Sequence, residues 1–155
     1  MSTPAHTFLQ THVVPGINDF GASPLDIRKA MNSAVALNQL ADYFWRSYSK
    51  TDSARVFHAE NVGAFRDELG KRHPEFAIVR DVAEAHKHMT LNRTSRVVTG
   101  SAQTAVGSTG YGVSGYNTGP WGGGPSIVVD LDNGSQIHFS SVAKTVFDLW
   151  QVMLR

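Results

Sequence analysis

Cysteine is absent from the 155 residues, which excludes disulfide bridges, thiol nucleophiles and cysteine-ligated metal. A chain without thiols suits a reducing compartment, and the expected location is the cytoplasm. Charged residues are sparse, at 17%, and nearly balanced, for a formal net charge of +1. Bulk electrostatics therefore gives no general pull toward nucleic acid or membrane. No apolar run approaches the roughly 20 residues that span a bilayer. The opening Met-Ser-Thr-Pro-Ala-His lacks a basic start and an apolar stretch, so no secretory leader is expected. No Gly-Lys-Ser/Thr follows the glycines, and no Gly-x-Ser-x-Gly occurs. These absences remove the phosphate-loop and serine-hydrolase signatures.

What is present is a globular composition, with 41% hydrophobic residues in a length that fits one domain. The pattern predicts a mainly helical α+β fold. A helical core over 24–91 precedes a glycine-rich β region over 95–140 and a closing helix over 141–155. Residues 1–22 show no sustained period and read as an extended lead-in. Ser23-Pro24-Leu25-Asp26 carries an N-cap, a first-turn proline and an acid that complements the helix dipole. The helix it opens runs to about Tyr48, with Ala30, Ala34, Leu37, Ala41, Phe44 and Tyr48 on one apolar stripe. Its end is aromatic (Tyr43, Phe44, Trp45), which reads as core.

After a connection over 49–58, a second helix is expected over 59–72, with Val62, Phe65 and Leu69 inward. Pro74 then starts a third helix that runs to about Leu91, with Phe76, Val79, Val82, Ala83 and Met89 inward. Arg96-Val-Val-Thr is strand-like. Residues 100–125 are rich in glycine and carry Tyr111, Tyr116 and Trp121; this stretch reads as a loop or an irregular pair of strands. Ser126–Asp132 and Gln136–Phe139 read as strands joined by Asn133-Gly134, a type I′ hairpin signal. Val142, Val146, Leu149, Trp150 and Met153 supply the closing helix with core contacts.

The densest set of reactive groups is Arg80-Asp81-Val-Ala-Glu84-Ala-His86-Lys87-His88. It lies in a basic stretch: residues 71–96 hold six Lys/Arg against three acids. At about 100° per residue, Arg80, Asp81, Glu84, Lys87 and His88 share one polar face. His86 leans toward the apolar seam, as a half-buried group. Arg80 and Lys87 suit an anion, the first by paired hydrogen bonds to a phosphate. His86 and His88 suit proton transfer near neutral pH, and Asp81 sits where it can orient His88. The histidines diverge on the helix, unlike the i,i+4 pair of a helical zinc site. No metal or cofactor is expected.

Arginine, a polar residue, then histidine near a helix end resembles the HEPN superfamily, and Arg80-Asp81-(four residues)-His86 fits its spacing. The resemblance implies a homodimer with two such helices facing each other, and metal-independent RNA cleavage of a toxin or phage-defence type. Arg80 would then hold the phosphate, His86 would act as acid or base, and Asp81 would position the arginine. The chain also resembles a set of uncharacterised bacterial and phage proteins. The shared parts are Pro74, Arg80-Asp81, Lys87-His88 and Leu131-Asp-Asn-Gly134…Phe147-Asp-Leu-Trp150, a pattern that emphasises His88 over His86. The expectation is a non-catalytic binding or interaction module with an anion-binding helix face, for RNA or another phosphate-bearing ligand, and no role in the membrane. The alternative is the HEPN-like ribonuclease, with Arg80, Asp81, His86 and His88 as its catalytic set.

Overall fold

The computed structural model describes residues 2–88, 96–108 and 125–155. Expectations that fall on Met89, on the end of the third helix, and on Tyr111, Tyr116 and Trp121 lie outside the described residues. The architecture is the expected one, a helical bundle with a small antiparallel sheet in its C-terminal half.

The first 22 residues are not extended. Pro4–Phe8 (α1), a wider π-helical turn at Leu9–Val13 and Val14–Ala22 (α2) follow without a break. Thr3 caps the start, its Oγ1 accepting from the His6 amide at 3.3 Å, and Pro4 occupies the first turn, where its missing N–H costs nothing. The wide turn falls just before Pro15, whose ring would press on the carbonyl four residues back in a regular α-helix. Ala5, Phe8, Leu9, Val13 and Phe20 are buried, although no simple period marks them.

Helix α3 (Ile27–Tyr48) begins later than its sequence suggests, because Asp26 rather than Ser23 is the cap: its Oδ1 accepts from the Lys29 amide at 3.2 Å. Ser23–Asp26 is instead a turn closed by Asp26 N–H to Ser23 C=O at 3.0 Å. The predicted stripe from Ala30 to Tyr48 is buried throughout. The aromatic cluster is split, however. Phe44 is buried, Trp45 is half-buried and Tyr43 is 39% exposed. Helix α4 (Val62–Arg72) is capped by Asn61, and α5 (Pro74–His88) follows after one residue.

The sheet has the order β1 (Thr104–Ser108), β2 (Pro125–Asp130), β3 (Gln136–His138), antiparallel throughout. Residues 96–99 do not join it. Their amides turn to side chains: Val97 and Val98 to the Asp81 carboxylate, Thr99 to Gln103 Oε1. The Asn133-Gly134 turn is not type I′, since only Gly134 has a positive φ, +86°. Gly134 N–H donates to Leu131 C=O at 2.9 Å and Leu131 N–H to Ser135 C=O at 2.8 Å. This is the three-residue loop ending in a left-handed glycine that suits the twist of a hairpin.

Helix α6 (Phe139–Met153) closes the fold. It packs on α3, α5, β2 and β3, with Trp150 fully buried and its Nε1 donating to Leu37 C=O at 3.0 Å. Among the described residues, no helix is long and apolar enough to cross a membrane.

Candidate functional site

Helix α5 is the central helix, packed against α3, α4, α6 and the turn at Ser101–Gln103. Every residue from Phe76 to Ala83 is buried, and so is Ala85. A polar face turned to solvent is therefore not what the first three turns present. Arg80 is 4% exposed and Asp81 0%, which corrects the expectation that both stand, with Lys87 and His88, on one polar face open to an anion. The amphipathic argument assumes one covered side, and this helix is covered on several.

The Asp81 carboxylate is the hub of a buried network. Its Oδ1 accepts from Arg80 Nε at 2.9 Å and from Arg96 Nη1 at 2.8 Å. Its Oδ2 accepts from the backbone amide of Val97 at 2.7 Å and from that of Val98 at 3.4 Å. Arg96 also pairs with Glu84 through Nη2 at 2.7 Å, and Arg80 reaches Asp67 through Nη1 at 3.4 Å. Isolated burial of these charges would cost several kcal/mol per ion, and the pairing offsets it. Gly70 leaves room for the Arg80 guanidinium, since a Cβ there would lie 3.2 Å from Nη1. The result is an ionic clamp that fixes residues 96–98 to the middle of α5.

His86, Lys87 and His88 are exposed. His86 was expected to lean toward the apolar seam. It lies instead beyond the enclosed turns, so the helix direction that is covered at Val79 and Ala83 is open at its end. The structure thus separates the predicted set. Arg80 and Asp81 are brought together in the interior, Glu84 is half-buried at the edge, and His86, Lys87 and His88 stand exposed at the helix end, with Lys87 as the cation among them. That end also complements the helix dipole. Among the described residues, no group of His, Asp and Glu has the arrangement of a metal site.

Sequence reasoning missed Arg96 as the second partner of Asp81. The basic balance of 71–96 signalled surplus cations but not which carboxylate would hold one. It also missed a polar cavity of about 260 Å³ on α3, lined by Gln39, Asp42, Tyr43 and Arg46. Their i, i+3, i+4, i+7 spacing was the available signal, on the side of the helix opposite to the apolar stripe. No protein-family model, no curated protein and no solved structure matches this chain.

Proposed function

We propose that this protein is a non-catalytic binding or interaction module whose anion-binding groups stand at the end of α5. The observation that supports it most is the division along that helix. Arg80 and Asp81 are engaged by the protein's own Asp67, Arg96, Val97 and Val98, whereas Lys87 and its flanking histidines face solvent. A ribonuclease of the arginine–histidine type needs its guanidinium at the substrate phosphate, and within one subunit Arg80 is directed inward. Lys87 takes over the anion-binding role that the pattern shared between it and Arg80. The ligand is a phosphate-bearing one such as RNA, and a homodimer would present two cationic ends. The thiol-free sequence suits a reducing compartment such as the cytoplasm.

The test is fluorescence anisotropy of a labelled single-stranded RNA at low salt, with the RNA recovered afterward and the protein mass measured in solution. Binding that weakens with salt, that Lys87→Glu with His86→Ala and His88→Ala reduces, and that leaves the RNA intact supports the reading. Cleavage of the RNA that His86→Ala abolishes overturns it in favour of the enzyme, and absence of binding overturns it outright.

A further inference from the structure

The cavity on α3 joins three different chemistries on two turns of one helix: an aromatic ring, a guanidinium and an amide, with a carboxylate beside them. Tyr43, the ring that lines it, belongs to a stack of three rings. Phe8 and Tyr43 stack with centroids 4.2 Å apart and planes 15° from parallel, and His12 stacks on Phe8 at 4.6 Å and 7°. Phe8 is buried and fixed, so Tyr43 is held at the cavity in a set orientation. One of its faces is taken by Phe8, yet 39% of the residue is exposed.

Charge decides what the cavity suits. Asp42 is neutralised by Arg66, whose Nη2 donates to its Oδ2 at 2.7 Å. Arg46 is exposed and, among the described residues, makes no ion pair. The cavity therefore carries a net positive charge beside an aromatic wall, which favours an anion over a cation. The volume of about 260 Å³ sits just below the range of drug-sized pockets, and the cavity is half open along α3, so a ring can lie against Tyr43 while the rest of a small ligand extends toward Arg46.

We infer that this cavity is a binding site for a nucleoside monophosphate, with the base stacked on Tyr43, its edge hydrogen-bonded by Gln39 and Asp42, and its phosphate held by Arg46. Stacking of a base on an aromatic ring tolerates any base, so the site selects a nucleotide rather than one sequence. This inference concerns a different face from the end of α5 and does not rest on the reading given above.

The experiment is an amide chemical-shift titration of the full chain with AMP, adenosine and inorganic phosphate as separate probes. The expected result is saturable shifts confined to residues 39–46 and their neighbours at 8–12, with AMP binding tighter than either fragment. Arg46→Glu, a surface change, should reduce AMP affinity at least tenfold while leaving adenosine binding within twofold. Tyr43→Ala should reduce AMP affinity about five- to hundredfold, the range for loss of one base–ring stack. Tyr43→Phe keeps the ring and should retain binding, which separates lost stacking from lost folding. AMP shifts that fall elsewhere, AMP affinity no better than that of phosphate or of adenosine, or unchanged AMP affinity in Arg46→Glu would each overturn the inference.

Discussion

Arg96 Nη1 lies 2.8 Å from Oδ1 of Asp81, fifteen positions earlier in the chain, and both side chains are almost wholly excluded from solvent. Removing the carboxylate takes its central acceptor from two buried guanidiniums, which keep the more exposed Asp67 and Glu84, and from the amides of Val97 and Val98. Asp81→Ala should therefore destabilise the protein by about 3–5 kcal/mol, read as a lower urea midpoint at unchanged slope. The Val97 and Val98 amides should also exchange faster with solvent in a partly destabilised Asp81→Asn variant. A loss below about 1 kcal/mol, the scale of an exposed ion pair, would refute the structural role of the clamp.

The two helices of the core differ in how far the sequence reveals them. Helix α3 is covered on one side, so its stripe from Ala30 to Tyr48 has the helical period and reads correctly. Helix α5 is enclosed by several elements, and its interior includes Arg80 and Asp81. A polar residue with a buried partner leaves no periodic mark, and the partner of Asp81 is in a segment whose own residues read as a strand. The lead-in helices were hidden for another reason. Pro4, Pro15, Gly16 and Gly21 suggest broken structure, but the prolines fall at helix starts or after a wide turn. Of the candidate site, residue types and spacing gave the cluster, and only tertiary packing shows which of its members face out.

Two glycines should respond oppositely to alanine. A Cβ at Gly107, on β1, would lie 2.8 Å from Val128 Cγ2, on the central strand. Gly107→Ala should cost about 1–3 kcal/mol, the usual cost of overpacking. Gly21 is in α2 with nothing within 4 Å of the added methyl. Gly21→Ala should raise stability by about 0.5–1 kcal/mol through helix propensity. Paired thermal melts check both signs.

Phe57 and His58 are consecutive non-glycine residues in left-handed conformation, with φ of 57° and 55°. Left-handed backbone costs roughly 1–2 kcal/mol in a residue with a Cβ. His58 is exposed, and the contact it makes, from Nδ1 to Ser53 Oγ at 3.0 Å, is also exposed. His58→Gly should therefore stabilise by about 0.5–1 kcal/mol after the entropic offset of glycine. Phe57→Gly should do the opposite, because Phe57 packs on Phe65 and lies under the Arg72 guanidinium at 4.1 Å. A loss of stability in His58→Gly would show that the exposed Ser53 contact outweighs the strain.

Arg80 and Lys87 belong to one cationic motif in sequence but to opposite environments in the fold, so their alanine variants should separate stability from binding. Arg80→Ala removes a buried hydrogen bond to Asp81 and a part-buried one to Asp67. Asp81 keeps Arg96, so the cost should be about 1.5–3 kcal/mol, the worth of a charged hydrogen bond. Lys87→Ala acts on an exposed side chain and should change stability by no more than about 0.5 kcal/mol. If anion binding belongs to the end of α5, Lys87→Ala weakens it in a protein of parental stability. Arg80→Ala, assayed well below its lowered melting temperature, binds as the parent does. The reverse outcome, with normal binding in Lys87→Ala and lost binding in a still-folded Arg80→Ala, would require the clamp to open and expose Arg80 to the ligand. Circular dichroism melts alongside the RNA titration distinguish the two.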